Sequence, residues 1–333
     1  MIDRRTFLAA GAAVATTAIT GFPAIAAPPT PLRIGFLHGL SSDAHLRIGE
    51  HLGSFAAEGL ATETVQFITG LEAYQALVGG SVDLVTTGAV ISNFPARGQG
   101  KAFLINAIEH ATAQLWVHPD QGVATIADLK GKRIATTRGT TAHYFLYKLL
   151  AANGLDANTD VEIVHQQMGN AVTSFISGAV PVVATWVPFD SGIAKAAPTA
   201  KLLATAREYP DAAILNGWSA GNAFYAERKD VLERFIRAWL PANAYIIAKR
   251  DEALEYLHGS YYKDFTLAEL QTQYDTARWL PAAEWEVLYR DGKITEWLDR
   301  VTAFNVAVGA FKDPLPASTY FDPSLFLKVA AAA

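Results

Sequence analysis

The sequence predicts an α/β fold made of two units, each a central β-sheet flanked by helices. The first observation is that residues 132–150 read as an apolar strand, a short polar loop and a one-sided helix. The second is that the segment beginning at Arg33 has the same order of elements. In both places a second strand, a short helix ending in glycine and a third strand follow, a pattern typical of parallel α/β sheets.

The segment 132–150 carries the clearest local signals. A strand is predicted over 133–137 and a helix from Thr141, with apolar side chains at three- and four-residue spacing as far as Leu150. Asn153-Gly154 is a usual helix end. Thr140 or Thr141 is the predicted N-cap, and the free N–H groups at this helix start favour an anion. The alternative is an ordinary strand-to-helix loop with a capped helix.

The near-duplication predicts one binding cleft. The loops 38–41 and 138–141 both read basic-Gly-x-hydroxyl, and the segments 86–88 and 186–189 follow the third strand of each unit. Ligands of parallel sheets bind beyond the carboxyl ends of the strands. We therefore expect these four polar or aromatic loops to converge between two lobes.

Residues 1–26 have the features of an export signal. A twin arginine, Arg4-Arg5, is followed by a weakly hydrophobic run and an Ala24-Ile25-Ala26 cleavage pattern, which resembles a twin-arginine signal peptide. The alternative is an N-terminal anchor, but glycine, threonine and proline interrupt the apolar run. Cleavage leaves about 307 residues, enough for two domains.

The composition excludes several classes of site. The chain has no cysteine, which excludes disulfides, thiolate metal sites and a cysteine nucleophile. Its formal charge of −5, or −6 without residues 1–26, argues against a nucleic-acid partner. The eight histidines form no i, i+4 pair, so no metal site is predicted.

The order of motifs resembles the periplasmic binding proteins of ABC importers for sulfonates, taurine and nitrate. The resemblance rests on segments 127–150, 161–164, 185–189 and 222–235, and it extends over essentially the whole chain after residue 26. It implies a two-lobed receptor of the type II venus-flytrap class, without catalysis. The first lobe would comprise 31–115 and 222–333 and the second 116–221, with crossings near 114–118 and 216–222.

The resemblance also implies which residues bind. The ligand's anionic head would contact hydroxyls and backbone N–H groups of both lobes, and an aromatic side chain would line the cleft. The positions that match are Thr87, Gly88, Thr140, Thr141, Ala142 and Trp186, and Ser41 of the loop 38–41 is a further candidate. Taurine binders hold an amine with carboxylates, whose places fall on Gln114 and on Asn222 or Ala223. Because neither place has a carboxylate, a neutral-tailed organic anion is expected.

Three basic residues have two interpretations each. His38, Arg138 and His143 lie in or beside the predicted loops, where a positive charge would stabilise an anion. Each could equally be a loop or helix-face residue without contact to the ligand.

Two enzyme alternatives remain from the sequence. Gly217-Trp218-Ser219-Ala220-Gly221 satisfies the G-x-S-x-G pattern of serine hydrolases, although residues 222–226 look like a strand where that motif needs a helix. Relatives of these receptors also include a cytosolic thiamine-pyrimidine synthase with a lysine-bound cofactor. The favoured prediction is a monomeric periplasmic receptor, without cofactor, that delivers a small anion to an ABC permease.

Overall fold

A computed structural model describes residues 28–332, and the predicted twin-arginine signal at 1–26 lies outside this range. The strands in chain order are β1 (Thr30–Leu37), β2 (Leu60–Phe67), β3 (Leu84–Thr87), β4 (Lys101–Glu109), β5 (Ala113–Val117), β6 (Arg133–Thr136), β7 (Glu162–His165), β8 (Val182–Trp186), β9 (Lys201–Thr205), β10 (Ile214–Ala220) and β11 (Ala277–Arg278). The helices are α1 (Leu40–His51), α2 (Ser54–Ala57), α3 (Gly70–Val78), α4 (Thr141–Ala152), α5 (Met168–Ile176), α6 (Asp190–Ala196), α7 (Asn222–Glu227), α8 (Lys229–Ala248), α9 (Arg250–Ser260), α10 (Leu267–Tyr274), α11 (Ala282–Arg290), α12 (Lys293–Ala307), α13 (Ala317–Tyr320) and α14 (Ser324–Ala330).

The strands form two sheets, as the α/β prediction requires. The first has six strands in the order β11-β4-β10-β3-β1-β2, and the second has five in the order β7-β6-β8-β5-β9. We call the first sheet with α1–α3 and α7–α14 the first lobe, and the second sheet with α4–α6 the second lobe.

The near-duplication in the sequence corresponds to a repeated topology. In the first lobe β1 pairs in parallel with β2 on one side and with β3 on the other. In the second lobe β6 pairs in parallel with β7 and β8 in the same way. Even the register is equivalent, because Ile34 lies opposite Leu84 and Ile134 lies opposite Val182. The prediction of two α/β units is confirmed.

The strand assignments move the expected lobe boundaries. β5 was expected mostly in the first lobe, but it pairs with β8 and β9 of the second sheet. β10 was expected in the second lobe, but it pairs with β3 and β4 of the first. The chain therefore crosses between the sheets at 110–112 and 206–213. Both strands run antiparallel to their neighbours, so the parallel strand-helix pattern of the sequence did not assign them.

Each lobe has its own apolar core. The core of the first lobe contains the fully buried rings of Trp218, Trp239 and Trp285, and that of the second contains Phe145 and Phe175. Burying one large apolar side chain stabilises a fold by roughly 1.5–3 kcal/mol. Trp285, from the C-terminal third of the chain, is fully buried, so these helices contribute to the core of the first lobe.

The C-terminal helices complete the first lobe. α8, 20 residues long, continues through Pro241 and buries Val231, Phe235 and Trp239 on one face. α10 begins with a capping box, in which the Thr266 hydroxyl accepts from the Glu269 N–H. Across residues 28–332, no helix has both the length and the apolar character that a membrane span needs.

Candidate functional site

A cavity of about 40 Å³ lies between the lobes, at the carboxyl ends of β1, β2, β3, β6 and β8. This is the edge at which the sequence predicted the binding loops to converge. We call it the interlobe cavity, and its lining residues are Leu37, His38, Gly39, Ser41, Ser42, Gly70, Gly88, Val90, Glu109, Thr112, Thr140, Thr141, Trp186, Val187 and Asn216.

The loop from β1 to α1 forms one wall of the cavity. His38 is held there by Asp43, whose Oδ2 lies 3.2 Å from the His38 Nδ1. The Tyr262 ring stacks on the imidazole at 4.1 Å, and its hydroxyl donates to the other oxygen of Asp43. The Asp43 carboxylate is fully buried, and its contact with Nδ1 fixes the orientation of the His38 ring.

The loop from β6 to α4 forms the opposite wall. Thr140 is the N-cap residue of α4, as predicted, but its side chain accepts no cap hydrogen bond. Its hydroxyl instead donates to the Thr137 carbonyl at 2.6 Å, which ties the loop back onto the strand. The expected side-chain cap is therefore wrong. The first N–H groups of α4 remain without an intrahelical partner, beside two residues that line the cavity.

The two lobes touch at the cavity. The Ala89 N–H, next to Gly88, donates to the Thr141 Oγ1 at 3.3 Å. A Cβ built on Gly88 would lie 2.8 Å from the same oxygen, so a larger residue there would separate the loops. Behind this contact the Phe304 ring of α12 packs edge-on against His143 and Tyr144 of α4, with centroid distances of 5.0 and 5.2 Å. The lobes are therefore closed on one another.

Glu109 is a site residue that the sequence reasoning missed. It ends β4, is 6% exposed and lines the cavity. Its carboxylate accepts from Ser41 Oγ at 2.7 Å, Asn216 Nδ2 at 2.8 Å and Thr112 Oγ1 at 2.9 Å. The available signal was an acidic residue at the end of a strongly apolar strand, just before the chain leaves the first lobe. The family resemblance instead places the carboxylates at 114 and at 222 or 223, where this chain has none.

Six of the twelve predicted site residues line the cavity: His38, Ser41, Gly88, Thr140, Thr141 and Trp186. Trp186 ends β8, and its ring meets the Phe189 ring edge-on at 5.5 Å. The other six lie elsewhere, for reasons that can be traced to their contacts.

Three of these six, Arg138, Gln114 and Asn222, form hydrogen bonds with other polar groups. Arg138 is exposed and donates to the Ile163 carbonyl at 2.9 Å, away from the cavity. The Gln114 amide bridges the Trp116 indole and the Asp190 carboxylate, at 2.7 and 3.0 Å. Burial raises the pKa of Asp190, and the amide of Gln114 opposes that rise by donating to the carboxylate.

Asn222 belongs to a different part of the first lobe. It accepts from the Gly100 N–H at 3.1 Å and donates to the Gly98 carbonyl at 2.7 Å, which fastens the start of α7 to the loop before β4. It lines a separate surface crevice with Arg33 and Asp83. The position chosen from spacing is therefore outside the interlobe cavity.

The remaining three are buried. Ala142 belongs to the core of the second lobe, and Thr87 packs beside Gly70, with its Cγ2 3.2 Å from where a Cβ on that glycine would lie. The His143 Nδ1 accepts from the Gly139 N–H at 3.1 Å. Burial, with smaller contributions from Arg138 and His165, lowers the pKa of His143 to about 4. A neutral, buried imidazole offers no charge to an anion.

The hydrolase motif does not form a nucleophile elbow. Contrary to the expectation, residues 222–227 form a helix, α7. Ser219 nevertheless lies inside strand β10 rather than at a turn, is fully buried, and accepts from the Tyr74 hydroxyl at 2.6 Å. His258, the one histidine after Ser219 and therefore the one that the motif order would require, donates from Nε2 to the Phe265 carbonyl at 2.9 Å. No cluster of metal-ligating residues occurs within 28–332.

Comparisons with known proteins agree with this architecture. A Brucella abortus (strain 2308) protein, provisionally named as a binding protein, is 27% identical over 322 residues, 96% of this chain and 98% of its own length. Among solved structures, the alkanesulfonate-binding protein SsuA from Xanthomonas axonopodis pv. citri, bound to MOPS, superposes with a TM-score of 0.72 at 20% identity, covering 90% of this chain and all of the other. The desulfurization enzyme DSZB shares the fold at a TM-score of 0.64 and 14% identity, covering 91% and 99%.

The predicted two-lobed binding-protein fold is confirmed by these superpositions. A family profile described as NMT1/THI5 like matches residues 44–253, which is more than half of the sequence and includes the β6-α4 wall of the interlobe cavity. The chain therefore belongs to the NMT1/THI5-like family.

Proposed function

We propose that this protein is a periplasmic solute receptor that binds a small organic anion in the interlobe cavity and delivers it to an ABC permease. The observation that carries the proposal is that two helix starts, those of α1 and α4, meet at one cavity from opposite lobes. The names of the relatives, a binding protein and an alkanesulfonate-binding protein, support it.

The cavity offers several groups to an anionic head. Each helix N-terminus stabilises a nearby anion by about 0.3–1 kcal/mol, and by up to about 2 when partly buried. The Thr141 hydroxyl and the imidazole of His38 add hydrogen-bond donors from the two lobes. Hydrogen bonds to a charged group contribute about 1.5–3 kcal/mol each. Together these groups suit an anionic head such as a sulfonate, nitrate or carboxylate.

Closure of the lobes provides the transport signal. A cavity of about 40 Å³ exceeds the minimum for a water molecule but is small for an organic anion with a tail. Binding and release therefore require the lobes to separate by hinge motion at the two crossings. The ligand drives closure only through tighter binding to the closed form. The permease would recognise the closed form of the receptor. The receptor itself would be a monomer exported by the twin-arginine pathway.

A receptor also fits the residues at the cavity better than an enzyme. A synthase with a lysine-bound cofactor needs a lysine at the site, and the cavity-lining residues found within 28–332 do not include one. The buried Ser219 is equally unsuited to attack a substrate. Because the fold also houses a desulfurization enzyme, the assignment depends on these residues and not on the fold.

The test is a thermal-shift screen of the purified protein against sulfonates, nitrate, sulfate esters and carboxylates, followed by calorimetry on the compounds that bind. The Thr140→Ala/Thr141→Ala double variant removes both hydroxyls from the α4 wall. We expect about 1 kcal/mol lost for each, or roughly fivefold in Kd per substitution.

The matched control is Thr173→Ala on α5, an exposed threonine of the same lobe whose hydroxyl bonds only to the Gly169 carbonyl. It should bind as the wild type does. If the double variant also binds as the wild type does, the anion site has been placed wrongly.

A further inference from the structure

The interlobe cavity contains a negative charge that an anion receptor has no need for. Glu109 comes from the first lobe and is almost completely buried. Its three hydrogen-bond donors, the side chains of Ser41, Asn216 and Thr112, are all neutral. Within residues 28–332, no lysine, arginine or histidine forms an ion pair with this carboxylate. A buried carboxylate without a countercharge is costly, so the arrangement calls for a partner.

The carboxylate borders the point at which the two lobes meet. A Cβ built on Gly88 would lie 3.5 Å from Glu109 Oε2 and 2.8 Å from Thr141 Oγ1. A ligand at this point would therefore contact the acid of the first lobe and the hydroxyl of the second together. A simple anion placed there would be repelled by Glu109 in a poorly solvated site.

The cavity also has a side that favours negative charge. His38 is oriented by the fully buried Asp43, and Ser41 and Ser42 lie in the first turn of α1. His38 is the one basic residue among the cavity-lining residues in the described part of the chain. The lining thus presents an acid and a base, each fixed by its own hydrogen bonds.

We infer that the ligand is zwitterionic, with a protonated nitrogen that pairs with Glu109 and an anionic group directed to His38 and the helix starts. This inference rests on the proposed receptor function and narrows its ligand class. It also reverses the expectation of a neutral-tailed anion, which was drawn from the neutral residues at 114 and 222. Neither of those residues lines the cavity, whereas Glu109 does.

The test uses pairs of probes that differ only in the amine: 2-aminoethanesulfonate with ethanesulfonate, 3-aminopropanesulfonate with propanesulfonate, and β-alanine with propionate. Calorimetry on the wild type should show at least tenfold tighter binding of the amine-bearing member in at least one pair. Glu109→Gln, which keeps the size and most hydrogen bonds of the side chain, should abolish that preference by weakening the amine-bearing member alone.

Two control variants separate the effect of the Glu109 charge from a general effect of substitution on folding. Ser41→Ala removes one donor to Glu109 but keeps the carboxylate, so the preference for the amine should persist. Glu255→Gln on α9 removes an exposed carboxylate far along the chain and should change neither probe. Because the wild-type comparison needs no variant, it decides the question even if Glu109→Gln does not fold.

The outcomes distinguish the two proposals. If the wild type binds the amine-free member of each pair at least as tightly as the amine-bearing member, the zwitterion inference is overturned. The proposal of an anion receptor is then unaffected. If the wild type binds no probe in these pairs and no anion in the wider screen, the receptor proposal itself is overturned, and the inference with it.

Discussion

The β1-α1 and β6-α4 units share one topology and one loop pattern, yet they use their basic residues in opposite ways. His38 follows β1 and lines the cavity, whereas Arg138, at the same place after β6, donates to the Ile163 carbonyl outside it. The difference lies one helical turn later. Asp43 stands five residues after His38 and holds it, while His143 stands five residues after Arg138 and binds the loop backbone at Gly139.

The comparison shows that the shared loop pattern determines where the basic residue lies in the chain fold but not the direction in which its side chain points. In both units the basic side chain emerges at the carboxyl end of the central strand. Its direction depends on whether the following helix offers a carboxylate. The hydroxyl positions differ in the same way, because Ser41 donates to Glu109 while Thr141 accepts from the Ala89 N–H. Three predictions test this account, in order of decreasing effect.

The largest effect is expected at His143, through acid stability. Burial lowers its pKa to about 4, against about 6.5 in the unfolded chain. The unfolded state therefore binds more protons between these values, and stability falls as the pH drops from about 6.5 to about 4. One histidine contributes about 3 kcal/mol to this loss at about 1.4 kcal/mol per pH unit.

His143→Asn removes this titration while leaving an oxygen that can accept from the Gly139 N–H. Urea denaturation from pH 7.5 to 4.5 should show a flatter pH dependence than in the wild type. Burial also lowers the pKa of His45 to about 4, so part of the slope should remain. An unchanged slope in the variant would mean that His143 is protonated in the folded protein, as a partner for an anion would be.

An intermediate effect is expected at Asp43, the counterpart of His143. Asp43→Asn keeps the shape of the side chain but removes the charge that orients His38 and accepts from the Tyr262 hydroxyl. We expect a loss of about 1–3 kcal/mol in the free energy of unfolding, measured by urea denaturation at pH 7. Ligand affinity should fall as well. A variant with wild-type stability would show that the dyad does not hold the loop.

The smallest effect is expected at Arg138. Arg138→Ala removes an exposed side chain, so stability should change by less than about 0.5 kcal/mol and ligand affinity should stay constant. His38→Ala is the matched variant in the other unit and should weaken binding. If Arg138→Ala weakens binding as much as His38→Ala does, the arginine turns into the cavity when the ligand is present.

Much of the architecture was readable from local pattern. The helix at 141–152 and the loops at the sheet edge follow from apolar spacing, glycine and hydroxyl residues, which act over a few positions. The parts that were missed depend on distant pairings. Glu109 finds its donors in Ser41 and Asn216, which lie 68 and 107 positions away. A repeating pattern over a few neighbouring residues cannot predict that these three side chains meet in the fold.

The same limit explains the shifted lobe boundaries and the misplaced residues. β5 and β10 are short strands without a distinctive local pattern, and only their antiparallel partners reveal which sheet they join. Asn222 and Gln114 were placed by their distance from other motifs, whereas their amides are satisfied by nearby backbone and side-chain groups. Spacing located the neighbourhood of the cavity but not the side chains that enter it.

The contact of Phe304 with α4 has a consequence for calorimetry. Any opening that draws α12 away from α4 must expose the rings of Phe304 and Tyr144 to water. Closure around a ligand would then remove this apolar surface from solvent in addition to the surface that the ligand itself covers. A small, highly polar compound should therefore bind with a large negative change in heat capacity, although this signature is usually associated with apolar ligands.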